Sequence, residues 1–109
     1  MIIAQNKEHL LELIRKTIET EGPDCDLNFI DVSNITDMSW LFNSSPFTGN
    51  ISKWNVSKVT KMICMFHDSS FNGDIGKWNV SRETNMYAMF DSSPLEASSN
   101  LPQWYRGLI

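Results

Sequence analysis

The sequence has little of what catalytic, metal-binding and membrane-bound proteins usually depend on. It holds only two cysteines, Cys25 and Cys64, which lie far apart. Zinc sites need closely spaced pairs and small secreted scaffolds need dense even sets, so we expect two free, buried thiols. The formal net charge of -4 argues against nucleic acid or an anionic membrane surface as a partner. No long apolar run and no leader-like segment is present, which predicts a cytoplasmic protein that does not enter the membrane.

Histidine, the commonest acid–base residue, is equally scarce. His9 falls in a helical segment, and His67 occupies a variable polar position, so no nucleophile, base and orienting group can be assembled around either. The sequence also contains no glycine-rich phosphate loop and no closely spaced set of oxygen ligands for calcium. We therefore predict no catalytic residue, no cofactor and no metal, and an enzyme is the least favoured class of function.

What the sequence does contain is a repeat. Residues 51–74 and 75–98 are identical at 11 of their 24 positions without a gap, and residues 27–50 align with them in the same register. Apolar side chains recur at this interval, and each coil of a repeat protein buries its apolar row against an equivalent row in the next. The recurring positions include Val32, Val56 and Val80; Met38, Met62 and Met86; and Phe42, Phe66 and Phe90.

This periodicity predicts the fold class. We expect an α/β solenoid of the leucine-rich-repeat type, with about three 24-residue coils. Short parallel strands are predicted near residues 36–38, 60–62 and 84–86, because threonine and apolar residues follow turn-like segments there. After a two-residue insertion, the segment 100–105 resembles the start of a fourth coil, with Leu101 and Trp104 as an apolar cover.

The first residues do not repeat and predict a helical cap. Asn6 is a suitable N-cap, the apolar residues of this segment lie at helical spacing, and Gly22-Pro23 should end the helix. Ile2 and Ile3 could add a short edge strand. The chain is predicted to be a single domain, residues 1–109, with three parts: a helical cap over 1–23, three repeats over 24–98 and a C-terminal capping half-repeat over 99–109.

The repeat also carries a family resemblance. The run W-N-V-S-x-V-T-x-M-x-x-M-F followed by S-x-F-N-G-D-I, within residues 54–75, resembles the repeat of BspA-like leucine-rich-repeat surface proteins. The resemblance implies a leucine-rich-repeat solenoid that binds protein without catalysis. Members of that family are commonly exported adhesins with many repeats, whereas this chain would be a short member without an export signal.

Positions that differ from repeat to repeat are free to specify a partner. Three such columns flank the predicted strands, and the residues we select from them as partner-binding are Asp37, Ser39, Trp40, Lys61, Ile63, Asn85 and Tyr87. Trp40 and Tyr87 are the favoured anchors, since Trp and Tyr dominate binding energy at interfaces. Trp40 could instead pack inward on the N-terminal helix.

These features leave two functions open. The first is a small cytoplasmic inhibitor or immunity-type protein, a monomer that neutralises one protein partner. The acidic charge suits a basic partner, although it is also ordinary for solubility. The alternative is a shortened relative of a bacterial surface adhesin.

Overall fold

Two helices and one pair of very short strands are the only regular elements in residues 1–97 and 101–105, which the computed structural model describes. In chain order the elements are β1 (Ile2–Ile3), α1 (Lys7–Glu21), β2 (Ile30–Asp31) and α2 (Pro94–Ala97). Strands β1 and β2 are parallel, with Ile2 opposite Ile30. The remainder of the described chain consists of turns and irregular backbone.

Helix α1 forms as its sequence predicts. The side chain of Asn6 accepts a hydrogen bond from the N–H of His9 at 2.8 Å, which satisfies one of the free donors at the helix start. At the other end Gly22 has a φ of 94°, and its N–H donates to the carbonyl of Ile18 at 2.8 Å. Leu10 and Ile14 are buried. None of the described helices is long and apolar enough to cross a membrane.

Aromatic side chains 24 residues apart lie against one another in nearly parallel stacks. The ring centroids of Phe42 and Phe66 are 5.5 Å apart, and those of Phe66 and Phe90 are 5.6 Å apart. Phe47 and Phe71 form a second stack at 5.8 Å. Apart from Phe90 at 1%, these rings have no solvent exposure, so the aromatic stacks form the centre of the core.

Tryptophans form a third stack and also bond the backbone. The ring centroids of Trp54 and Trp78 are 6.4 Å apart, and those of Trp78 and Trp104 are 6.1 Å apart. The indole N–H of Trp54 donates to the carbonyl of Leu27, and that of Trp78 to the carbonyl of Ile51. Each indole therefore satisfies a backbone acceptor within the core, where an unpaired carbonyl would be costly.

The predicted fold class, an α/β solenoid of leucine-rich-repeat type, is wrong. The segments 36–38, 60–62 and 84–86 do not form strands, and no strand recurs from one 24-residue segment to the next in the described residues. The strand-like pairing in these segments consists of isolated parallel bridges, which join Asp37 to Lys61 and Lys61 to Asn85. The described residues instead form a small compact unit built largely of turns, with two helices and one pair of two-residue strands.

The backbone conformation explains why strands do not form. The N–H of Leu41 donates to the carbonyl of Met38, and the N–H of Asn43 to that of Trp40. These hydrogen bonds close local turns. They occupy carbonyl groups that would pair with the neighbouring segment if the chain formed a strand here. Trp40 and Ser44 have positive φ values of 64° and 55°, which turns tolerate and strands do not.

The same turns recur at 24-residue spacing. Positive φ values are found again at Cys64 and Ala88, and at Asp68 and Ser92. The sequence gives no hint of this conformation, because none of these residues is glycine and only the aspartate favours it. Of the predicted terminal half-repeat, 99–109, residues 99–100 and 106–109 lie outside the described residues. Leu101, predicted to cover the end, is an exposed apolar residue.

Candidate functional site

The variable columns come together on one surface. The bridges between Asp37, Lys61 and Asn85 bring these three residues side by side. The neighbouring backbone holds them in place, because the N–H of Met38 donates to the carbonyl of Lys61 at 2.8 Å and the N–H of Met62 to that of Asn85 at 2.7 Å. Residues far apart in sequence thus form one continuous row of mixed polarity.

Large aromatic side chains stand beside this row. Trp40 is 50% exposed although it lies between the buried residues Ser39 and Leu41, and Tyr87 is 59% exposed beside the buried Ala88. Ile63, in the segment between them, is half-buried. The alternative that Trp40 packs inward on α1 is therefore not what the structure shows. Trp40, Ile63 and Tyr87, together with the row Asp37, Lys61 and Asn85, are called the variable face below.

Trp40 has a neighbour that the sequence analysis did not select. The imidazole of His67 meets the indole edge to face, with ring centroids 5.9 Å apart. The imidazole Nδ1 lies 3.1 Å from the side-chain oxygen of Asn43. The sequence predicts His67 only as a variable polar residue. The signal that could have found the contact is register, since Trp40 and His67 come from adjacent repeats at nearby positions of the turn.

Ser39 does not belong to the exposed surface, contrary to our expectation. It is 7% exposed, and its hydroxyl accepts a hydrogen bond from the N–H of Ile63 at 3.1 Å. Its own N–H donates to the Asp37 carboxylate at 2.8 Å. Ser39 therefore links two repeats from within. Cys64 and Ala88, which share a column with Trp40, are also buried, so that column is exposed only in the first repeat.

Asp37 is the most constrained charge of the variable face. Its carboxylate lies 3.6 Å from the Lys7 ammonium of helix α1. Partial burial raises the pKa of the Asp37 carboxyl. The hydrogen bonds from Ser39 and the charges of Lys7 and Lys61 lower this pKa by more than burial raises it. The pKa of Asp37 therefore lies below its usual value. Asp37 is thus held in its ionised form at neutral pH.

Helix α1 borders a second, apolar surface. A groove of about 530 Å³ runs between α1 and the first repeat, with Leu11, Ile14, Ile18, Leu41 and Pro46 among its lining residues. Leu11 is 39% exposed, so the apolar stripe predicted for this helix is only partly covered by the repeat beneath it.

The two cysteines are free and buried, as predicted. Burial raises the pKa of both thiols, and the nearby Asp91 carboxylate raises that of Cys64 further. Thiols with raised pKa values are weak nucleophiles, because the reactive species is the thiolate. Within the described part of the chain, no group of three or more His, Cys, Asp or Glu residues is placed to hold a metal ion.

Comparison with known sequences adds a family. Residues 12–105 match the family described as "Mycoplasma protein of unknown function, DUF285". No curated protein and no solved structure matches the chain. The matched range contains every residue of the variable face.

Proposed function

Since the chain belongs to the DUF285 family, a family of unknown function, we propose its function from its surface: it is a non-enzymatic module that binds one protein partner. The exposure of Trp40 and Tyr87 is the observation that carries this proposal. Large aromatic side chains are costly to leave in water, and at interfaces they supply much of the binding energy. The proposed contacts are Asp37, Trp40, Lys61, Ile63, Asn85 and Tyr87, with Ser39 supporting them from beneath.

The arrangement of this surface supports recognition by side chains on a rigid base. The residues between the exposed ones include buried ones fixed by hydrogen bonds to the next repeat, such as Met38, whose N–H donates to the carbonyl of Lys61 at 2.8 Å. A rigid base lowers the entropy lost when the partner binds. His67 extends the aromatic area beside Trp40, and we include it among the proposed contacts.

Within this class, we favour a small cytoplasmic inhibitor or immunity-type protein that acts as a monomer. The acidic balance of the chain suits a basic partner, since opposite charges speed and orient association. A role as a shortened surface adhesin is the alternative, and the repeat motif itself favours it. The location of the partner separates the two: an adhesin would bind a component of the cell exterior, and an inhibitor an enzyme or toxin inside the cell.

Affinity capture with the purified chain tests the proposal. Wild type and the variants Trp40→Ala and Tyr87→Ala are immobilised in parallel and exposed to lysate of the native host, and the captured proteins are identified and their Kd values measured. Each substitution is expected to weaken binding by about 2 kcal/mol, or roughly thirtyfold. Lys53→Ala, at an exposed residue outside the variable face, is the matched control.

Two outcomes would contradict the proposal. If both aromatic variants bind every captured protein as tightly as wild type, the variable face is not the binding surface. If Tyr87→Ala unfolds the chain, the assignment of Tyr87 to the surface is wrong. Circular dichroism on each variant distinguishes the second case from loss of contact.

A further inference from the structure

The apolar groove beside helix α1 is open to water along one side. Its volume is about 530 Å³, and all of its lining residues come from α1 and from the segment 41–46 of the first repeat. Ile14 and Leu41 are each 4% exposed, whereas Leu11 is 39% exposed and Pro46 is also an exposed residue. The groove therefore has buried apolar side chains at its base and exposed apolar side chains at its borders. This surface is called the α1 groove below.

The length of the α1 groove suits a helix. Its lining residues on α1 extend from Glu8 to Glu19, which at a rise of about 1.5 Å per residue corresponds to roughly 16 Å. Leu11 and Ile18 lie two turns apart on the same side of α1. A second helix laid along α1 would fill this length with about three turns, and its apolar side chains would recur at the same spacing.

The backbone around the groove favours a helix over an extended segment. Extended segments bind by adding to a sheet edge through backbone hydrogen bonds. Within α1 the backbone groups pair with one another, so the helix offers no such edge along its length. On the other side of the groove, the N–H of Leu41 donates to the carbonyl of Met38 and that of Ser45 to the carbonyl of Phe42. Recognition in the groove therefore depends on side chains.

The charge around the groove indicates the sign of its occupant. Glu8, Glu12 and Glu19 line it, and all three are exposed. Two cations offset part of this charge, since Arg15 lies 3.7 Å from the Glu19 carboxylate and Lys16 lies 2.9 Å from that of Glu12. The surroundings of the groove keep a net negative charge. Opposite charges across an interface speed and orient association, so an occupant with cationic side chains fits best.

We propose that the α1 groove binds an amphipathic helix of another protein, with apolar residues on one face and lysine or arginine along the borders of that face. The apolar face covers Leu11, Ile18 and Leu41, and the cations meet the glutamates of α1. This inference goes beyond the proposed function. It uses α1 and the first repeat instead of the variable face, and it does not depend on that function.

The chain itself is a poor source of this helix. Among the described residues, the one helix of sufficient length is α1, which contains four glutamates against three lysine and arginine residues. In a second copy, α1 also already buries Leu10 and Ile14. The described C-terminal residues belong to the other end of the protein, where Tyr105 packs on Phe90 of the third repeat with ring centroids 4.8 Å apart.

Fluorescence anisotropy on the full chain tests the α1 groove. The probe is a fluorescein-labelled peptide, QKLAQLKAKLAQLKA, which as a helix places its leucines on one face and its lysines beside them. Two control peptides accompany it. One has the same composition in an order that forms no apolar face, and the other carries Glu in place of each Lys. The probe should bind at least about tenfold more tightly than either control.

An NMR titration of the wild-type chain with the same probe locates the binding site without any substitution. The amide signals of Leu11, Ile18 and Leu41 should shift. Those of Phe71 and Tyr87, which lie outside the groove lining, should stay in place.

Variants separate the contributions of apolar contact and charge. Leu11→Asp should fold, because this side chain reaches water, and should weaken binding of the probe by at least about tenfold. Glu8→Gln should weaken it by about threefold. The matched control Glu21→Gln removes an exposed carboxylate of α1 outside the groove lining and should bind like wild type. Tyr87→Ala should also bind like wild type, which distinguishes the α1 groove from the variable face.

Four results would overturn the proposal. Equally tight binding of the reordered peptide would show attraction by charge alone, and equally tight binding of the Glu peptide would show an apolar site indifferent to charge. Amide shifts confined to residues outside the groove would place the probe elsewhere. Sedimentation velocity showing a dimer of the wild-type chain that Leu11→Asp dissociates would make a second copy the occupant. If circular dichroism shows that Leu11→Asp is unfolded, the wild-type titration and the comparison of Glu8→Gln with Glu21→Gln decide.

Discussion

Phe66 offers the sharpest test of how the core is held together. Its ring lies between those of Phe42 and Phe90, with centroid distances of 5.5 and 5.6 Å, and contacts Phe71 at 4.9 Å. It is fully buried. We predict that Phe66→Ala destabilises the protein by about 3–5 kcal/mol, the usual cost of deleting a buried aromatic ring.

This cost is large relative to the stability of a chain of this size. Native domains are stable by about 5–15 kcal/mol, so at the lower end of this range the variant would be barely folded at 25 °C. Urea denaturation followed by circular dichroism measures the effect. With a slope of about 1–3 kcal/mol per M, the midpoint should fall by roughly 1–5 M. Phe66→Leu fills more of the space, and we expect it to cost clearly less than Phe66→Ala.

The matched control is Tyr87→Ala, which removes an aromatic ring from the surface of the adjacent repeat. Because Tyr87 is 59% exposed, its loss should change the free energy of unfolding by less than about 0.5 kcal/mol. A loss of under about 1 kcal/mol for Phe66→Ala would refute the reasoning. It would mean that the stacked rings are not the core of the folded protein.

Three further predictions follow from local geometry. Gly49→Ala should destabilise the chain by about 3 kcal/mol or more in the same urea assay, because the new Cβ would lie 1.7 Å from the Cys25 carbonyl oxygen. The control Gly76→Ala, whose Cβ would meet nothing closer than 3.4 Å, should be nearly neutral. Equal effects of the two substitutions would contradict the packing described around Gly49. The Asp37 pKa is lowered in the folded state, so its contribution is present above the unfolded pKa and is lost as the pH falls through the folded value. Thermal unfolding between pH 7 and 2 should therefore show a smaller acid-induced loss for Asp37→Asn than for wild type, and identical profiles would exclude this role. The thiols of Cys25 and Cys64 should react slowly with Ellman's reagent at pH 7.4 and rapidly in urea; rapid labelling of the native chain would show that they are accessible.

Much of the core could be predicted from the sequence because its repeat is strict. Phe42 and Phe66 recur at 24 residues and lie in contact, and Trp104 joins the tryptophan stack despite the two-residue insertion. Helix α1 was equally predictable, since Asn6, its apolar spacing and Gly22 are local signals that do not depend on the rest of the fold.

The backbone between these residues was not predictable. Apolar and threonine residues near 36–38 suit a strand, yet the segment that follows closes into turns with Trp40 at a positive φ. Single-residue preferences oppose this conformation, and at Trp40 the local turn and the hydrogen bond to the Ile63 carbonyl of the next repeat help to compensate for it. The error in fold class has this cause: the period fixes which side chains meet, whereas the conformation between them depends on contacts that no single repeat contains.

The surface was partly predictable. Variability between repeats correctly located Trp40 and Tyr87 as exposed, but it could not separate them from Ser39, which is variable and buried. A serine can vary between repeats and still be internal if its hydroxyl satisfies the backbone of the next one, as Ser39 does for Ile63. The contact between Trp40 and His67 depends on ring orientation, which a column alignment does not contain.

The near-identical spacing of the phenylalanine rings, 5.5 Å between the first two repeats and 5.6 Å between the second and third, has a consequence for how such chains change in length. Each junction between repeats is nearly a copy of the one before it. Duplication of 24 residues in the middle of the chain would therefore create a junction with the same side-chain packing as the existing ones. Both ends of the chain would be unchanged. Insertions of other sizes have to be accommodated in the turns, as the two residues inserted before Trp104 are, because that ring still stacks on Trp78.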